Sequence, residues 1–127
     1  MTERVLADVV VVLHLLFVMF ALLGGALVLW RPFIAVIHLP AAAWAAWVEF
    51  TGTICPLTPL ENRWRTGAGA AGYDGGFVEH YLIPALYPAE LTSRMQIVFG
   101  LVVVVVNASL YGFAWWRAHR ERKAGDR

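Results

Sequence analysis

The sequence predicts an all-α membrane bundle of three transmembrane helices, with a short helical extracytoplasmic cap at about residues 58–87. Three observations carry that expectation. Apolar residues make up 60% of the 127-residue chain and charged residues only 15%, outside the balance of a soluble domain. The apolar residues fall into three blocks, each long enough for a hydrocarbon core of ~30 Å. Between the second and third blocks lies a polar, glycine-rich stretch with helix-start signals of its own. The whole chain, 1–127, reads as one integral membrane domain.

Span one is predicted at about 5–30. Its apolar core, 9–30, is longer than the ~7–15 residues of a secretory signal, so it reads as an uncleaved span. The β-branched run Val9–Val12 would suit a strand in water. In lipid, a lone segment can satisfy its own backbone only as a helix. Trp30-Arg31-Pro32 breaks the chain, because proline disfavours helix at the residue before it. Span two comes next at about 33–55, with Pro40 inside it.

The cap should start at Thr58-Pro59-Leu60-Glu61, a capping box with proline in the first turn. Residues 67–76 are too rich in glycine for a helix. Asp74 can cap a second short helix running into Tyr81, and Pro84 and Pro88 interrupt the chain beyond it. Whether 76–87 lies in the interface or re-enters the bilayer stays open. Span three is predicted at about 88–116, centred on Val102–Val106, with a basic tail after it at 117–127.

Five of the ten Lys/Arg residues lie in that tail, and the positive-inside rule sets it in the cytoplasm. Six cations then lie inside and four outside; Trp30, Trp115 and Trp116 form an aromatic belt at the inner face. The expected location is the bacterial inner membrane. A net charge of +1 gives no reason to expect a nucleic-acid partner. The expected partners are the lipid bilayer and another membrane protein or a second copy. Cys55 is the single cysteine, so no internal disulfide forms.

Ionisable residues inside spans are costly, and here they are His14, His38 and Glu49. His38, Ala42, Ala45 and Glu49 fall within about 60° of one another on a helix. His14, Val18, Ala21 and Gly25 form an equivalent stripe, and so do Gln96, Gly100, Val103 and Asn107. Small residues let helices approach closely, and polar ones bond across, so all three stripes should face inward. His14 precedes Trp30 by as many residues as Glu49 lies beyond Phe33, which puts both roughly 24 Å from the Arg31 turn.

Glu79-His80 could fold down to meet them. The candidate metal set is therefore His14, Glu49 and His80, with Cys55, Glu61, Glu79, His38 and Gln96 as the wider polar cluster. Two imidazoles and a carboxylate suit a transition metal, and two histidines suit a haem. Proton or solute handling is a further reading. The plain alternative is a His14–Glu49 hydrogen bond that locks the hairpin. His38 reads as a packed histidine bonded to a carbonyl freed by Pro40, and Trp44 and Trp47 as lipid-facing or packing residues. Gly67-Ala68-Gly69-Ala70-Ala71-Gly72 matches the dinucleotide glycine pattern but comes after a membrane span, without the required βαβ context.

Two stretches are specific: Thr53-Ile54-Cys55-Pro56-Leu57-Thr58-Pro59-Leu60-Glu61-Asn62 and Gly75-Gly76-Phe77-Val78-Glu79-His80-Tyr81-Leu82-Ile83-Pro84. With His14, His38-Leu39-Pro40 and Glu49, they resemble a bacterial family called domain of unknown function 2784. The resemblance covers nearly the whole chain. It implies a small inner-membrane protein whose hallmark positions are the residues singled out above, and it implies no mechanism. The function expected is that of an accessory or scaffold subunit with a buried His/Glu cluster near the outer face. Metal or haem binding with redox or sensing work is the alternative.

Overall fold

The computed structural model describes residues 1–73, 77–82 and 93–127, all in helices and the turns between them. Three helical segments are long and apolar enough to cross a membrane: Thr2–Leu23, Pro32–Thr51 and Arg94–Gly125. Most large apolar side chains on them face outward, among them Leu16, Val36, Ile37 and Val105. Water would not tolerate so continuous an apolar surface. The interior is narrow and small-residued, with Ala7, Val10, Ala21, Val28 and Ala42 buried.

Helix α1 (Thr2–Leu23) begins three residues earlier than the sequence suggests and is interrupted at Gly24 before a short α2 (Gly25–Val28). A Cβ on Gly24 would stand 2.5 Å from Cδ2 of His38, so glycine is what lets the imidazole reach the backbone. Arg31 is extended, as a residue before proline should be, and Pro32–Ile34 forms a 3₁₀ turn into α3 (Ala35–Thr51). Helix α3 stops four residues short of the expected Cys55. Gly52 takes a left-handed conformation, φ 67°, and closes the helix as a glycine C-cap.

Helix α4 (Leu57–Gly67) starts one residue before the predicted capping box, and no side chain caps it. Thr58 and Glu61 instead turn inward and are buried. Helix α4 packs on α1, whose residues Ala7, Val10 and His14 are buried. Its end at Gly67 comes close to Glu3. The second cap helix survives as a single π-helical turn, Val78–Leu82. Asp74, Pro84, Pro88 and the start of span three lie outside the described residues.

Helix α5 (Ser93–Gly125) has 33 residues, about 50 Å, and runs through the basic tail without a break. Arg117–Glu121 and the stacking of Arg120 on Trp116 sit at i, i+4 spacing along this extension. Helix α5 packs on α3 and α2, and α3 on α1. All three polar stripes point into the bundle: His14, Ala21, Gly25, His38, Ala42, Glu49, Gly100 and Asn107 are buried.

Candidate functional site

Three polar stations succeed one another along the bundle. The first, nearest the Arg31 turn, ties the spans together. His38 is 0% exposed, and its Nε2 donates to the Ala21 carbonyl at 3.3 Å. A neutral ring then accepts from the Tyr111 hydroxyl at Nδ1, 2.8 Å away. Asn107 Nδ2 donates to the same Ala21 carbonyl and to Val103, each at 2.9 Å. One α1 carbonyl therefore collects donors from α3 and α5. The carbonyl expected for His38 was one freed by Pro40; the partner is Ala21, because the gap at Gly24 brings the ring to α1.

The last station fastens α4 to the segments beyond it. Glu61, 0% exposed, accepts from the Tyr73 hydroxyl at 2.7 Å and the Tyr81 hydroxyl at 2.5 Å, and pairs with Arg65 Nε at 3.0 Å. Both oxygens of the carboxylate are thus engaged, which explains its withdrawal from a capping role. Asn62 holds the Tyr73 backbone through both its amide atoms. Burial first, and the hydrogen bond to Glu61 second, push the Tyr81 phenol up to about 12 and raise Tyr73 as well. The Arg65 guanidinium lies 5.8 Å and 5.7 Å from the centres of the two phenol rings.

Between these stations the spans do not close on one another. They leave a cavity of about 260 Å³ lined by His14, Glu49 and Cys55, by the aromatic residues Phe17, Trp44, Phe77 and Phe99, and by aliphatic side chains. His14, 3% exposed, stacks on Phe77 with centroids 4.1 Å apart. Its Nδ1 has no hydrogen-bond partner among the described residues. A buried polar atom left so costs roughly 1–3 kcal/mol.

His14, Glu49 and Cys55 line one cavity. His80 does not. It is exposed, lies flat on Tyr73 at 3.8 Å and meets Tyr81 edge-on at 4.6 Å, apart from the cavity lining. Among the described residues no three His, Cys, Asp or Glu side chains form a group able to hold a metal ion. The expected His14–Glu49–His80 set is therefore not assembled. The backbone of Glu79 lies in the π-helical turn, and Gln96 sits half-buried on α5 facing the Gly52 turn. Trp44 turns one side to the cavity while 40% exposed.

Sequence reading missed Tyr73, Tyr81 and Tyr111. Tyr111 was legible in principle, one turn beyond Asn107 on the same stripe. Tyr73 and Tyr81 flank a glycine-rich loop with no periodicity to orient them.

Residues 4–112 match the family model described as Protein of Unknown function (DUF2784). No curated protein and no solved structure matches the chain.

Proposed function

The chain belongs to the family described as Protein of Unknown function (DUF2784), and we propose that it is a small non-enzymatic membrane protein that holds an apolar molecule inside its bundle. The observation that carries this is the cavity around His14 and Glu49. Helices free to pack would fill such a space, since a void forfeits dispersion contacts along its whole lining. Here the stations at either end hold it open: His38, Tyr111 and Asn107 below, Glu61, Tyr73 and Tyr81 above. An apolar guest with one polar end matches a lining that is aliphatic and aromatic apart from His14, Glu49 and Cys55.

In this role the protein is an accessory or scaffold subunit, its two polar locks serving as the frame for the guest. We set it in the bacterial inner membrane with the C-terminus in the cytoplasm. The support is the cation bias and the basic extension of α5, which suits an anionic cytoplasmic leaflet.

The test is direct. The intact protein is purified in mild detergent, extracted with organic solvent and assayed by mass spectrometry for a stoichiometric apolar compound. Ala45, on the cavity wall, is replaced by phenylalanine in a parallel preparation. Wild type should carry the compound, and Ala45→Phe should lose about tenfold or more of it. Equal amounts in both proteins, or none in wild type, would overturn the reading.

A further inference from the structure

We infer that the guest is a flat, ring-containing membrane solute bearing a hydrogen-bonding oxygen, of the quinone or quinol class, and not an acyl chain; this rests on the cavity reading above. Phe17, Trp44, Phe77 and Phe99 line the space, and the His14 ring is stacked on Phe77, which fixes its plane. Aromatic pairs reward particular ring separations and tilts, which a flexible chain cannot exploit.

The polar groups are placed to suit the same class. His14, Glu49 and Cys55 are the polar side chains of a lining that also includes Phe77 and Val78, and His14 is the one stacked on Phe77. His14 contributes a buried ring nitrogen, Nδ1, without a partner among the described residues. Imidazole Nδ1 can donate to a quinone carbonyl or accept from a quinol hydroxyl, according to its tautomer. The ring therefore serves either form of such a ligand.

Size and access agree. An engineered cavity of roughly 150 Å³ takes up benzene. At about 260 Å³ this one has room for two fused rings. Trp44 on α3 and Val102 on α5 line the cavity while 40% and 42% exposed, so the wall there is thin on the lipid side. A hydrocarbon tail on the ring could leave the protein between them into the bilayer.

The probe is 2,3-dimethyl-1,4-naphthoquinone, whose blocked ring positions prevent addition of the Cys55 thiol. Binding to the purified full chain in detergent is monitored by quenching of tryptophan fluorescence and by thermal shift, with decan-1-ol as the chain-like comparison. The naphthoquinone should saturate at one per chain and bind about tenfold or more tighter than decanol. His14→Phe, which keeps a ring and removes the nitrogens, should weaken it about tenfold, and Ala45→Phe should abolish it. Equal or better binding of decanol would overturn the ring class and leave the cavity reading standing. Failure of both probes to bind stripped protein would overturn both readings. Unchanged affinity in His14→Phe, with the variant's melting point intact, would overturn the role given to the imidazole.

Discussion

Replacing His38 by alanine should cost the bundle about 3 kcal/mol, and replacing Tyr111 by phenylalanine about a fifth of that. The first substitution removes two interhelical hydrogen bonds, to Tyr111 and to the Ala21 carbonyl. Such bonds in membrane proteins average about 0.6 kcal/mol and reach about 1.7. It also leaves a void of roughly 65 Å³ against Phe20 and Gly24, worth about 1.6 kcal/mol at about 24 cal/mol per Å³. The transfer part of a soluble-core substitution is left out, because the unfolded reference here also lies in apolar surroundings. Tyr111→Phe removes a single bond and no volume from the interior, so about 0.6 kcal/mol remains. The assay is unfolding of the detergent-solubilised protein by sodium dodecyl sulfate, monitored by tryptophan fluorescence. If Tyr111→Phe cost as much as His38→Ala, or His38→Ala cost under about 1 kcal/mol, the three-helix lock would be refuted.

Gly24→Ala should destabilise by about 1–3 kcal/mol, because its Cβ meets the buried His38 ring. Gly100→Ala should cost less in the same assay, because the Phe50 ring it meets is exposed and can swing away. The cap should loosen in alkali. The Tyr81 phenol is raised to about 12 and Tyr73 is raised too, so both stay protonated in the folded chain while the unfolded chain ionises near 10. Their contribution is complete below pH ~10 and is lost as pH climbs from there through about 12. Tyrosinate absorbance should therefore show late-ionising phenols in wild type, and Glu61→Gln should bring them earlier. A reporter fused after Arg127 should prove cytoplasmic, and an extracytoplasmic signal would reverse the orientation.

The helical stripes were legible because lipid leaves few options. Ionisable and amide side chains in an apolar span must turn inward, and a 3.6-residue period says which small residues turn with them. His14, His38, Glu49 and Asn107 could be found on that ground. The ends of the elements could not. Gly52 stops α3 by a left-handed turn, and Gly24 leaves the space that a ring from another helix occupies. Glu61 matched a local capping pattern, and two distant phenols and an arginine outbid the local partner. His80 shows the same logic in reverse. Its placement depends on a loop without periodicity, and the stack on Tyr73 takes it from the cavity.

A guest can enter only if the space beside Ala45 is real and ready to receive atoms. Ala45→Leu in ligand-stripped protein probes that alone. Larger side chains in a filled interior cost about 1–3 kcal/mol, whereas filling an existing void adds contacts. The expected unfolding midpoint is equal to or above that of wild type. A clear fall in the midpoint would mean that the helices already meet there, and that no cavity joins His14 to Glu49.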